Sequence, residues 1–286
     1  MYDSILFPTD GSEPAGSVLE YAVDVASEHG ATLHVLSVAD ASREDVGRAG
    51  EEAMDAPRLA AQEIVDDAAS RAREGGVSVV SAVREGDPSA AIVEYGDASG
   101  VELVVMPTHG RHGLKRFLLG SVTERVINTA DVPVVAVNPD RERPLRYPPA
   151  NVLVPTDGSA GAERALSEAI AVTRATGATL HLLHVVETGR LGPDARAVLD
   201  EAALTERADE IVAGAVEAAR AESLDAVESA VEFGVPSKEI RRYSEANAID
   251  LAVLGTQGET DFSRYVMGGV SAKIVRTSPV PVMWVR

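Results

Sequence analysis

Pro8-Thr9-Asp10-Gly11-Ser12 returns later in the chain as Pro155-Thr156-Asp157-Gly158-Ser159. Working outward, Gly30-Ala31-Thr32-Leu33-His34 returns as Gly177-Ala178-Thr179-Leu180-His181 at the same displacement of 147 (155 − 8 and 177 − 30). Gly86-Asp87-Pro88-Ser89 returns as Gly234-Val235-Pro236-Ser237, and Gly110 and Gly120 return as Gly258 and Gly268, displaced by 148 (234 − 86 and 258 − 110). Two tandem copies of one fold follow. The change by one falls across a long polar helical segment, where an insertion or deletion is tolerated best. A length of 286 residues also predicts two domains. The expected division is domain one over 1–139, an Arg- and Pro-rich linker over 140–150 and domain two over 151–286.

Each copy alternates strand and helix. Ser4–Pro8 is short, apolar and unbroken, as a parallel strand buried on both faces should be. Ser12 is placed to cap a helix running to about Glu28, with Val18, Leu19, Ala22, Val25 and Ala26 as its buried stripe and Gly30 as its stop. Strands are then expected over Thr32–Val38, Val77–Arg84, Val101–Met106 and Val132–Val137, with helices over Ala53–Glu74, Pro88–Ser99 and Ser121–Thr129. Copy two repeats the pattern and ends in a strand over Val280–Val285. The predicted class is α/β: two tandem, doubly wound, five-stranded parallel-sheet domains with helices on both faces.

Composition narrows the function classes. Asp and Glu number 45 against 26 Lys and Arg, a net charge of −19, which argues against nucleic-acid or anionic-membrane partners. Only Lys115, Lys238 and Lys273 are lysines. Acid excess with so little lysine fits a halophilic surface, where net charge maintains solubility; an acidic, Arg-rich protein of a GC-rich genome is the plainer alternative. The absence of cysteine excludes disulfides, thiolate metal sites and Cys nucleophiles. Met1-Tyr2-Asp3-Ser4 leads straight into a strand with no basic-then-apolar leader, and no apolar run approaches ~18 residues, so the expectation is a soluble cytoplasmic protein.

Ligands of open α/β sheets collect beyond the carboxyl ends of strands, where strand order reverses. The candidates are Pro8-Thr9-Asp10 after strand one, Val38 after strand two, and the stretch Met106-Pro107-Thr108-His109-Gly110-Arg111 through Gly120-Ser121 after strand four. That stretch passes from a buried strand through a glycine-punctuated loop with basic side chains into a helix start, where free N–H groups and a partial positive charge suit an anion. Asp10 either accepts from a ribose or an exocyclic amine, or it caps helix one or supports the turn. No G-x-x-x-x-G-K-[ST] and no G-x-G-x-x-G follows the first strand, so neither a P-loop nor a dinucleotide fingerprint is present. The six histidines lack a metal constellation. His34 and His181 fall in strands and read as structural, while His109 and His112 either face phosphate or sit solvated in the loop.

The ordered set Gly110, nine residues, Gly120-Ser121, with Gly255-x-x-Gly258, nine residues, Gly268-Gly269 in copy two, resembles the nucleotide site of the universal stress protein family. The Pro-Thr-Asp openings and the endings Val132-Pro133-Val134 and Val280-Pro281-Val282 match it too, so the resemblance covers essentially the whole chain. It implies the adenine nucleotide alpha hydrolase-like fold with strand order 3-2-1-4-5. It also implies binding of ATP or another adenine nucleotide, with or without Mg²⁺, and dimerisation through the fifth strands. Within one chain that becomes an intramolecular pseudo-dimer of the two domains, with a homodimer of chains as a further expectation. Carried over, Pro8, Thr9, Asp10 and Val38 would line adenine and ribose, and Met106 and Pro107 would lie beneath the ribose. Gly110, Arg111, Gly120, Ser121 and Val122 would form the phosphate end. In copy two the matching residues are Pro155, Thr156, Asp157, Val185, Leu254, Gly255, Gly258 and Gly268.

The copies differ. Copy one has Pro107 where the pattern has its first glycine, losing a backbone donor worth ~1 kcal/mol. Its phosphate end is intact, with Arg111, Lys115 and Arg116 in the loop. Copy two keeps its glycines but has Gly269 in place of the hydroxyl residue, and Glu259 and Asp261 in the loop. A lost charge-assisted bond costs ~1.5–3 kcal/mol, whereas exposed carboxylates are screened within ~3 Å at 1 M salt. The better triphosphate site is therefore expected in copy one. The leading functional expectation is a nucleotide-binding stress-response or regulatory module without a catalytic residue. The rivals are a weak ATP hydrolase or phosphotransferase and a ligand-free dimerisation scaffold.

Overall fold

The computed structural model describes residues 1–39, 52–110, 119–140, 143–188, 201–256, 273–274 and 276–286, with side chains of 52–55 and 201–203 left aside. The chain divides into two compact units, Met1–Arg141 and Glu142–Arg286. The first contains β1 (Ser4–Pro8), α1 (Glu13–His29), β2 (Thr32–Ala39), α2 (Glu52–Glu74), β3 (Ser78–Glu85), α3 (Pro88–Ser99), β4 (Leu103–Pro107), α4 (Ser121–Thr129) and β5 (Val134–Val137). Its strands are parallel and ordered β3-β2-β1-β4-β5, the order implied by the resemblance. The second contains β6 (Asn151–Pro155), α5 (Ala160–Thr176), β7 (Thr179–Glu187), α6 (Glu201–Ala221), β8 (Val227–Gly234), α7 (Pro236–Ala246), β9 (Leu251–Gly255) and β10 (Val282–Val285), with strand order β8-β7-β6-β9-β10.

In the first unit α1 packs with α2 on one face of the sheet and α3 packs with α4 on the other. The central strands are accordingly apolar along their length: Ile5, Leu6, Phe7, Leu103, Val104 and Val105 are all buried. The edge strand β3 is half-buried at best. The helix signals act where the sequence places them. Ser12 Oγ accepts from Ala15 N, and Gly30, at φ 63°, returns its N–H to Ala26 O and Ser27 O. The stripe Val18, Leu19, Ala22, Val25 and Ala26 is buried against the sheet. Ser159 and Gly177, at φ 70°, repeat the arrangement around α5.

Some strands begin later than their apolar runs. Val101 donates its N–H to Gly96 O and so closes the end of α3, leaving β4 to start at Leu103. Pro133 contributes only its carbonyl, to Val104 N, and β5 starts at Val134. β10 likewise starts at Val282 rather than Val280.

His34 and His181 are structural, as their strand positions predict. His34 Nδ1 lies 2.9 Å from Tyr95 Oη on α3. His181 repeats the pair with Tyr243 Oη on α7 (3.2 Å), and its Nε2 lies 3.3 Å from Asn151 Oδ1. A neutral ring donating from Nε2 to the Asn151 carbonyl oxygen accepts the Tyr243 hydroxyl at Nδ1. Burial pushes both imidazoles below their usual range, opposed at His181 by Glu228, 3.5 Å from Nδ1. Arg84 stacks over the Tyr95 ring in the first unit instead. Both folded-state values lie under the unfolded one near 6.5, so the neutral rings contribute stability that is full above pH 6.5 and lost as pH falls below it. The melting temperature is expected to drop between pH 7 and 5, with His34→Gln and His181→Gln each flattening the slope. Equal slopes in all three proteins would refute the assignment.

Candidate functional site

The geometry of the site begins with where pairing stops. β1 and β2 stay paired to Pro8↔Leu36, and β4 and β5 to Pro107↔Val137, but β1 and β4 pair only at Ile5↔Leu103 and Leu6↔Val104. Each strand end is tethered outward: Thr9 N donates to Leu36 O and Thr108 N to Val137 O, both at 2.8 Å. The two middle strands therefore part at their carboxyl ends and open a crevice where the strand order reverses. The second unit repeats this, with Thr156 N to Leu183 O and Thr256 N to Val285 O. Even-numbered residues of β4 donate toward β5, as Val104 N to Pro133 O shows. The N–H missing at Pro107 is therefore on the crevice side, and no ladder bond is lost by its absence.

One wall of the crevice is the β1–α1 turn. Asp10 Oδ1 accepts from Ser12 N (3.0 Å) and Thr9 Oγ1 accepts from Gly11 N (3.2 Å), so the turn is held by side chains bonding two residues ahead. Asp10 thus supports the turn, while Ser12 is the helix cap. Its other oxygen, Oδ2, lies against Gly110: a Cβ added there would collide with it. The need for glycine at 110 is this approach, since its φ is not positive.

The other wall is the β4–α4 connection. Gly120 N donates to Thr108 O (2.7 Å), closing the loop, and a Cβ on Gly120 would stand 3.2 Å from that carbonyl oxygen. Thr123 Oγ1 donates to Pro107 O (2.9 Å) and pins the helix to the strand end. Gly120 occupies the N-cap position and offers no side chain, so among the described residues the N–H groups of Ser121 and Val122 meet no acceptor. Ser121 is exposed and Val122 half-buried; Met106 and Pro107 are buried, and Val38 is half-buried at the end of β2. Arg111, Lys115, Arg116 and His112 lie outside the described residues.

His109 overturns both readings offered for it. It neither faces a phosphate nor sits solvated. Its side chain is 7% exposed, Nδ1 lies 3.2 Å from Thr108 Oγ1, and Nε2 lies 3.6 Å from Asp140 Oδ2 in the segment after β5. The ring anchors the loop to the chain leaving the sheet.

In the second unit Ser159 N donates to Asp157 Oδ1 (3.0 Å) and Gly158 N to Thr156 Oγ1 (3.3 Å), as in the first. His184 adds a bond without a counterpart, Nδ1–H to Thr156 O at 2.7 Å; Ser37 stands at the matching place in the first unit. Gly255 has its own reason to be glycine. A Cβ there would lie 2.5 Å from the backbone carbon and oxygen of Gly161, where α5 crosses β9. Pro155 and Val185 are half-buried and Leu254 is buried. Gly258, Gly268, Gly269, Glu259 and Asp261 lie outside the described residues. Among the described residues no group of three or more His, Asp or Glu is placed to hold a metal ion, and no helix is long and apolar enough to cross a membrane.

Two α/β units in tandem, each with a crevice at its switch point, define a duplicated fold. The chain belongs to the universal stress protein family, whose model matches residues 1–138 and again 150–286. A universal stress protein of Methanocaldococcus jannaschii is 36% identical over 141 residues, covering 48% of this chain and 82% of its own. A second from the same organism is 30% identical over 154 residues, covering 48% and 95%. Each spans about the length of one copy. The crystal structure of a universal stress protein from Archaeoglobus fulgidus is similar over 99% of this chain and 96% of its own, with a TM-score of 0.75 and 26% identity.

Proposed function

We propose that the chain is an adenine-nucleotide-binding regulatory module whose stronger polyphosphate site lies in the first unit. The observation carrying this reading is the seating of Asp10 Oδ2 against Gly110, with the uncapped start of α4 following in the same loop. A carboxylate able to accept from ribose hydroxyls and a helix start able to donate to phosphate stand at the two ends of one crevice. Gly120 leaves the backbone open to an anion, and Ser121 adds a hydroxyl donor that Gly269 lacks. Pro107 removes a crevice-side donor, so the ribose end binds less tightly than the glycine pattern would. ATP is the representative ligand, and Mg²⁺ would arrive with its phosphates rather than at a protein site of its own.

The test is calorimetric titration of the full chain with ATP. Asp10→Asn keeps the bond to Ser12 N but removes the charge, and is expected to weaken binding about tenfold or more, the ~1.5–3 kcal/mol of a charge-assisted bond. Asp157→Asn is expected to leave the tighter site unchanged. Loss of that site in Asp157→Asn but not in Asp10→Asn would reverse the assignment of the copies.

A further inference from the structure

The α1–α2 face of the first unit holds a groove of about 390 Å³ behind the β1–α1 turn. Its accessible apolar lining is Ile64, half-buried, and Ala60, exposed, with Phe7 and Leu19 buried beneath them. Gly16 on α1 and Ala60 on α2 keep it open by being small. Along the α2 wall stand Glu63, Asp67 and Arg71, each four residues from the last and so aligned on one helix face. Arg71 Nη2 donates to Gly16 O (3.1 Å), which fixes the guanidinium with donors left over. Neither Glu63 nor Asp67 forms an ion pair or hydrogen bond among the described residues.

The matching positions of the second unit differ in sequence. Gly11 meets Ile64 as Gly158 meets Ile211, so the displacement of 147 holds through this face. At that displacement Glu163 replaces Gly16 and Arg207 replaces Ala60, while Gly214 and Ala218 replace Asp67 and Arg71. Glu63 keeps its match in Glu210, so what is particular to copy one is the small pair Gly16 and Ala60 together with Asp67 and Arg71.

We propose that this groove binds a small zwitterion with an apolar body, of the free amino-acid class. Its ammonium sits between Glu63 and Asp67, its carboxylate on Arg71, and its side chain on Ile64 and Ala60. Asp67 and Arg71 are separated by about 6 Å of helix rise, a span that an ammonium and a carboxylate on one carbon bridge with a hydrogen bond to each side. A plain cation would meet Arg71 unbalanced, and a plain anion would meet two carboxylates. The volume lies within the range of small-molecule pockets.

The experiment uses the full chain without nucleotide, so its outcome is independent of the nucleotide reading. L-phenylalanine is titrated by calorimetry and by ligand-observed NMR. 2-Phenylethylamine, lacking the carboxylate, and 3-phenylpropanoate, lacking the ammonium, are the controls. Saturable binding of phenylalanine is expected, at least tenfold weaker for either control and for Asp67→Asn or Arg71→Gln. Gly16→Glu and Ala60→Arg, which install the copy-two side chains, are expected to abolish it with the melting temperature unchanged. Absence of saturable phenylalanine binding, undiminished binding in Gly16→Glu and Ala60→Arg, or tighter binding of the amine would each overturn the proposal.

Discussion

Gly255→Ala is expected to lower the stability of the second unit by about 3 kcal/mol, and its melting temperature by roughly 10 °C, through overpacking against a neighbour that cannot yield. The added methyl would stand 2.5 Å from the carbon and oxygen of Gly161. That neighbour is main chain, so no rotamer change relieves the contact, and α5 must lift from β9 and loosen its buried face. Gly214→Ala is the control. A Cβ at that helical position meets nothing within 4 Å, so the change should stabilise by up to ~1 kcal/mol through helix propensity. Chemical denaturation of both variants decides the matter, and a Gly255→Ala protein within 1 kcal/mol of the parent would show that the helix moves freely.

Gly110→Ala is expected to reduce ATP affinity at the first unit at least tenfold while leaving its melting temperature nearly unchanged. The methyl would collide with Asp10 Oδ2 and part the two walls of the crevice. The site loses its geometry because the carboxylate and the start of α4 no longer meet one ligand, and pre-organisation is what such a site supplies. Stability is spared because Gly110 and Asp10 are only half-buried at the carboxyl end of the sheet. Gly76→Ala is a poor control, because its φ of 82° would add backbone strain. Ser121→Ala is the better companion, removing one hydroxyl and about a single hydrogen bond's worth of binding, ~1 kcal/mol. Equal affinities for parent and Gly110→Ala would place the nucleotide elsewhere.

Local chemistry made most of the fold legible. Ser12 and Gly30 bound α1 through their own side-chain and backbone geometry, which needs no tertiary context. The unbroken apolar run Ile5-Leu6-Phe7 likewise announces a strand covered on both faces. Strand starts were less legible because a valine is apolar in either role: Val101 serves the end of α3, and only its bond to Gly96 O reveals that. In the site, the identity of Asp10 and Gly110 was readable but their contact was not, since it joins positions 100 residues apart (110 − 10). His109 was misread for the same reason. Its partner Asp140 lies beyond a helix and a strand, and a loop histidine beside glycines gives no sign that it is buried. Gly255 read as part of a ligand motif although its neighbour on α5 already requires a glycine.

The contact between Gly161 and Gly255 also bears on how a duplicated gene can go on exchanging sequence between its halves. The matching positions in the first copy are Pro14 and Pro107. A conversion tract that carries glycine into position 107 delivers a smaller residue and should be tolerated. The reverse tract would set a proline ring against the main chain of α5 unless it spanned both positions. Exchange confined to this one position is therefore expected to run one way, from the second copy to the first.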